Sequence, residues 1–520
     1  MKRAVLLTVI LALAGSGQTR ARDVADITLD YVAKRAEQRA HTPFKSPRAN
    51  LPDFLRADKL NYDKYREIEF RHERAFWADK DLPFRIEFFH PGYIYEEPVN
   101  INEFTLTAAQ AVPFNQEWFN YRGLHIEKRI PPKTGYAGFR VLSQLNSPDK
   151  WDEVGAFVGA SYFRLLGKGQ SYGESARGLA IDCGETDRPE EFPIFTDWWL
   201  GQPSRDDDRL RLYAILDSVS CAGAYSFLIK PGDTTVVDIE AIIYFRDDTM
   251  IRAGQEDRKL PIKTLGMAPL TSMFWFGKSS QRKFDDYRPE VHDSDGLLMQ
   301  FGKEVLWRPL DNPPQMQHQR FAAKELRGFG LMQRERDFRS YEDLFNPYQS
   351  VPSVWVEPQN GWGEGELNLV ELATQYEGLD NVVVFWDPKN KPQPMQPYRF
   401  SYQLSWTKDE VKVPVKQRVV STRLGVDPRN PQQREFVIDF AGTKPGGVTE
   451  NTPPQAIASC STNAAVVEAP VYRNPYDETW QVIMKVAPKP GNKDPVDIRC
   501  TLQQGEEVLS ETWTYLWNPL

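Results

Sequence analysis

Histidine and cysteine are scarce, at six and four in 520 residues. His41, His72, His90, His125, His292 and His318 form no HxH, HExxH or HxxxH spacing, so zinc catalysis is not expected. No GxSxG elbow and no Cys/His signature of nucleophilic catalysis is present. The glycine-rich stretch 167–178 (GKGQSYGESARG) lacks the GxxxxGK(S/T) order and reads as a turn-rich loop, not a phosphate cradle. No run of five basic residues occurs and the formal charge is −8, which argues against nucleic acid as a partner. No cofactor and no metal is expected.

What is present is an ordinary globular balance: 41% hydrophobic and 26% charged residues, with 14 Trp and 21 Tyr. Low-complexity, collagen-like and disordered classes are excluded. Lys2 and Arg3 precede an apolar run at 4–14 (AVLLTVILALA) that is too short to span a bilayer, then small and polar residues up to Ala21. Residues 1–21 are therefore expected to be a secretory signal peptide of the general type, since Lys2-Arg3 is not a twin-arginine pair. Removing it takes away Lys2, Arg3 and Arg20 and no acid, and the charge moves from −8 to −11. In an exported chain, four cysteines permit disulfides. Local pairs, Cys183–Cys221 and Cys460–Cys500, are the simplest of three connectivities. Free or structural thiols remain open.

Residues 23–39 carry Val24, Ile27, Tyr31 and Val32 at helical spacing and predict one amphipathic helix. After it, alternating runs predict strands at 84–89, 211–216, 236–245, 367–372, 382–386, 398–406, 434–440, 481–486 and 508–516, separated by turn clusters such as Pro231-Gly232-Asp233. The chain is read as all-β. The Pro/Lys-rich stretch 388–397 (PKNKPQPMQP) is expected to be a linker. It would divide a large N-terminal sandwich, 22–390, from a C-terminal immunoglobulin-like sandwich, 398–520.

Carboxylates beside aromatics are the remaining source of chemistry. Residues 287–297 (YRPEVHDSDGL) set Glu290, Asp293 and Asp295 around His292. Residues 362–386 carry Glu364, Glu366, Glu371, Glu377 and Asp380 between Trp362 and Trp386, with Asp380 just ahead of an apolar strand. Cleaving a glycosidic bond needs one protonated carboxyl for the leaving oxygen and one carboxylate to activate water or attack carbon. Unequal environments separate the two pKa values. Trp and Tyr faces stack on pyranose rings. Each residue also has a structural reading. Asp293 could cap the turn at Gly296, Glu377 could be a solvated loop acid, His292 could be a core hydrogen-bonder, and both Trp could be core.

At these motifs the sequence resembles the periplasmic glucan biosynthesis family, MdoG/OpgG and OpgD, along essentially the whole mature chain. The similar stretches are 88–99 (FFHPGYIYEEPV), 159–164 (GASYFR), 175–182 (SARGLAID), 268–274 (APLTSMF), 287–297, 307–309 (WRP), 327–331 (RGFGL), 362–365 (WGEG) and 380–383 (DNVV). His-Asp-Ser-Asp at 292–295 is closer to the OpgD branch. The resemblance implies a galactose-mutarotase-like β-sandwich followed by an immunoglobulin-like one. It also implies a periplasmic setting, β-1,2-glucan as partner, and grouping in glycoside hydrolase family 186 with endo-β-1,2-glucanase or transglycosylase activity by inversion. Position by position, it implies Asp380 as general acid and Asp293 as general base. Glu377 and Tyr348 would line a proton relay, with Asp295 as alternative base. Trp362, Trp386, Tyr287 and Arg288 would contact glucose units. The 344–351 loop (LFNPYQSV) departs from the family pattern. A second expectation, of another class, is a non-catalytic glucan-binding scaffold serving a membrane glucosyltransferase. A homodimer is also an open expectation.

Overall fold

A computed structural model describes residues 27–281, 283–443 and 452–519; the expected signal peptide lies outside the described residues. The fold is all-β. A ten-stranded sheet runs from Arg85–Phe89 through Gly138–Ser143, Asp152–Val158, Tyr162–Leu165, Ser175–Arg177, Leu265–Ser272, Val382–Pro388 and Gly365–Glu371 to Gln317–Ala323. It packs on a fifteen-stranded second sheet whose central strands include Cys221–Lys230, Thr235–Phe245 and Pro397–Thr407.

Aromatic rings fill the space between the two sheets. Phe139 stands edge-on to Trp198 at 5.1 Å, and Phe157 stands edge-on to Phe227 at 5.6 Å. Strand Val382–Pro388 shows why an uninterrupted apolar run forms here. Val382, Val384 and Trp386 face this main core, while Val383 and Phe385 face a second apolar cluster with Ala180, Cys183 and Val370. A strand covered on both sides has no polar face to alternate with. The helix forms at Leu29–Ala40, capped by Thr28, whose Oγ1 accepts from Tyr31 N at 3.3 Å. Its Val32, Ala33, Ala36 and Ala40 cover Trp199, Ile215, Ala222 and Ala224 on the outer face of the second sheet.

The expected linker at 388–397 is instead the turn that carries the chain from the first sheet to the second. The strand after it, Pro397–Thr407, pairs with Thr235–Phe245 on one side and Ser353–Gln359 on the other, inside the large sandwich. A Pro/Lys-rich composition reports exposure and lack of pairing, which a turn between two sheets shares with a linker. The expected run 508–516 is likewise interrupted, forming Glu507–Val508 and Thr512–Trp517.

The second sandwich is built on the first. Its own sheet contains Gln417–Val426, Arg434–Gly442, Trp480–Pro488 and Ala464–Glu468. The facing layer is an extension of the fifteen-stranded sheet, joined where Thr512–Trp517 pairs in parallel with Glu304–Pro309. Trp307, Met332 and Trp355 of the large sandwich therefore share a core with Ile438, Val482 and Trp513. All four cysteines are unbridged, so the local disulfides do not form. Cys183 and Cys221 belong to different packing clusters. In the ladder, Cys460 lies opposite Ile498 and Cys500 lies opposite Ala458, two positions out of step.

One buried ion pair locks this junction. Arg334 Nη1 and Nη2 donate to the two oxygens of the fully buried Glu511 at 2.9 and 2.7 Å, and its guanidinium lies 3.6 Å from the Trp307 ring centroid. Removing one partner strands the other charge in a dry site. Arg334→Met is expected to lower unfolding stability by about 3–5 kcal/mol, with part of the loss restored when Glu511→Gln is added. Chemical denaturation of the three proteins checks this.

Candidate active site

Two loops at one end of the large sandwich bring the predicted acids together. Asp380 stands at the mouth of strand Val382–Pro388, as its position before an apolar run implied. Its side chain is exposed, and its one hydrogen bond among the described residues comes from Thr271 Oγ1 at 3.4 Å. The backbone beneath it is rigid. The buried Asn381 accepts from Phe274 N at 2.8 Å and donates to the carbonyls of Phe274 and Leu372, both at 3.0 Å. At the far end of the loop, Asn312 accepts from Thr374 N at 3.0 Å and donates to Thr374 O at 2.9 Å. The acid is thus open to solvent on a loop pinned from below.

Asp293 follows the short strand Val291–His292, and its N–H donates to Met273 O at 2.8 Å. Asp293 is half-buried, and its carboxyl lies close to Gly173. A Cβ added at Gly173 would come within 3.1 Å of Asp293 Cγ and 2.3 Å of Val351 Cγ1, so this close approach requires glycine. Burial first, and the charge of Asp380 second, push the Asp293 pKa up to about 7. Arg164 and His292 pull the other way, and Glu377 adds to the rise. The two aspartates therefore share one electrostatic environment, with Asp293 half-buried and Asp380 open to solvent.

Glu377 and Tyr348 meet beside them. Tyr348 Oη donates to Glu377 Oε2 at 2.8 Å, and Arg288 Nη1 donates to the same oxygen at 2.6 Å. Burial, then the hydrogen bond and charge of Glu377, hold the Tyr348 phenol far above its ordinary pKa, so it remains a donor. Gln333 ties this group to the Asp293 segment. Its Nε2 donates to His292 O at 2.9 Å and to Tyr348 O at 3.2 Å. The His292 ring is fully buried, stacked on Phe274 at 5.4 Å, with Nδ1 on Gln333 Oε1 at 2.9 Å and Nε2 3.4 Å from Glu290 Oε2. Burial works against its charge, yet Glu290 and Asp295 hold its pKa above the ordinary value. His292 is a buried support for the Asp293 segment.

Several expected roles do not survive the geometry. Asp295 is occupied with backbone, since its Oδ2 accepts from Arg334 N and Glu335 N at 3.0 and 2.9 Å. Trp386 is fully buried in the main core and offers no ring face to a sugar. Trp362 donates Nε1 to Ser401 O at 3.1 Å and packs edge-on against Phe400 and Tyr402, on the second sheet. Arg288 has its guanidinium engaged by Asp286, Asp343 and Glu377. Tyr287 is 72% exposed, with the Arg288 guanidinium 5.8 Å from its ring centroid. Among the described residues no cluster of His, Cys, Asp and Glu could hold a metal. A cavity of about 930 Å³ lies between the two sandwiches, lined in part by Phe284, Asn312, Thr374, Tyr515 and Trp517.

Sequence reasoning missed Arg164, Thr271 and Glu174. The first two lie inside quoted motifs without a local sign of their role. Glu174 sits in the stretch read only as a turn-rich loop. It is 1% exposed, and burial first, then the charge of Asp293, hold its pKa well above 4.5. A carboxyl whose pKa is raised in the folded state contributes stability below its unfolded pKa, and that stability is lost as pH rises beyond it. Glu174→Gln is therefore expected to melt several degrees above wild type at pH 8, with the advantage shrinking toward pH 4. Thermal melts at the two pH values measure it.

A family model described as periplasmic glucan biosynthesis protein, MdoG, matches residues 27–517. That span includes both sandwiches and every residue of the site, and the chain belongs to the MdoG family of periplasmic glucan biosynthesis proteins.

Proposed function

We propose that this protein cleaves or rearranges β-1,2-glucan in the periplasm, as an endo-glucanase or transglycosylase, with Asp380 and Asp293 as the acid and base. The observation that carries the reading is that Asp293 and Asp380 are charge-coupled in one site. One carboxyl of such a pair keeps a proton while the other is ionised, as glycosidic cleavage requires. The division of roles follows the family resemblance. A general base works best when its pKa lies near the working pH. The exposure of Asp380 at the strand mouth, with a hydroxyl as its hydrogen-bond partner among the described residues, supports contact with a glycosidic oxygen. In the proposed step the Asp380 carboxyl gives its proton to that oxygen as the C–O bond breaks. A water attacks the anomeric carbon from the opposite face and loses its proton to Asp293, directly or through the Tyr348–Glu377 pair. Inversion follows from attack by water rather than by a carboxylate. With a sugar acceptor in place of water, the same proton movements give transfer.

Linear β-1,2-glucan incubated with the full mature chain tests this. Wild type is expected to shorten or rearrange the polymer, and Asp380→Asn to lose at least about 10²-fold in rate. The rate of wild type should climb with pH through about 7 as Asp293 ionises. Asp293→Asn should lose both the rate and that limb of the profile. A wild type that binds the glucan and never turns it over would favour a scaffold that presents glucan to a membrane glucosyltransferase.

A further inference from the structure

Arg288 is a clasp between three loops. Its Nε and Nη2 donate to Asp286 on its own loop at 3.0 and 2.9 Å, and Nη1 donates to Asp343 on a second loop at 2.9 Å and to Glu377 on a third at 2.6 Å. The second loop is braced further, because Asp343 Oδ1 accepts from Phe345 N and Asn346 N at 2.8 and 3.0 Å. Such an arrangement holds the backbones of all three loops in one place.

Each of these loops sends a large apolar side chain into water, within two residues of a carboxylate that Arg288 holds. Tyr287 is 72% exposed, Leu344 86%, Phe345 93% and Tyr376 53%. Leu379, directly before Asp380, is 50% exposed. A lone exposed apolar residue is ordinary, but a group gathered on three clasped loops is a binding feature. Folding leaves Leu344 and Phe345 almost wholly open and covers only about half of Tyr376 and Leu379.

From this we infer that Tyr287, Phe345 and Tyr376, with Leu344 and Leu379, form a rim that stacks on the pyranose rings of a glucan chain beyond the bond being cut. The inference rests on the glucan reading above and names a binding surface for it. Tyr376 and Leu379 flank Glu377 and precede Asp380, so a chain whose glycosidic oxygen meets Asp380 passes beside them. Aromatic faces next to hydrogen-bonding carboxylates match a ring with apolar C–H faces and a hydroxyl edge. The Arg288 clasp supplies pre-organisation, so sugar binding does not have to order three loops.

The test uses the full mature chain carrying Asp380→Asn, so that glucan is bound and not consumed. Affinity for long linear β-1,2-glucan is measured by calorimetry with and without Phe345→Ser and Tyr376→Ser. Each change is expected to weaken binding by about 3–10-fold, with the melting temperature unmoved because both residues are exposed. Phe345→Trp should restore the affinity. Equal affinity in parent and variants overturns the rim. So does a parent that sediments as a dimer and a Phe345→Ser variant that sediments as a monomer, because the rim is then a contact between two copies. If the Asp380→Asn parent and wild type bind no β-1,2-glucan, the glucan reading itself falls, and the rim with it.

Discussion

Two carboxylates placed in one electrostatic field cannot both ionise at ordinary strength, and this constraint organises the site. Asp293 lies close to Gly173 and feels the charge of Asp380. The surrounding residues set how far that coupling goes. Arg164 and His292 limit the rise in the Asp293 pKa, while Gln333 and Asn381 fix the backbones from which the two acids project. The site uses buried amides for position and charged groups for tuning. An amide can hold backbone on both its donor and acceptor sides without adding charge.

The support beneath the site is continuous with the rest of the molecule. Asn312 pins the loop that bears Asp380 and lines the cavity between the sandwiches. Tyr515, from the second sandwich, donates to Ser279 O at 2.8 Å in the segment leading to the Asp293 strand. The parallel pairing of Thr512–Trp517 with Glu304–Pro309, and the Arg334–Glu511 pair, bind the second sandwich to the fifteen-stranded sheet, whose strand Gly296–Phe301 begins three residues after Asp293. The C-terminal unit is thus a structural buttress of the site.

Legibility differed by kind of feature. The strands at 236–245, 382–386 and 434–440 were readable because alternation or a continuous β-branched run is written in consecutive residues. The helix was readable from its period, though it begins at Leu29. Asp380 was readable as a strand-mouth acid for the same local reason. Trp386 carried both a core and a sugar-stacking reading, because the same apolar run serves a strand covered on one face or on both; its burial makes it core. Arg288 was expected to bind sugar, and only its three carboxylate partners show it to be a clasp; Glu377 lies 89 residues away in sequence.

By itself the sequence determined an all-β chain, its family resemblance and a short list of acids, because strand alternation and local motifs depend on neighbouring residues alone. Tertiary structure decided which acids share a field, which aromatics are covered and which sandwich owns the strand at Pro397–Thr407. The physical reason is that burial and charge coupling arise from partners brought together by sheet pairing across hundreds of residues. Those partners leave no mark on the sequence beside the residue they act upon.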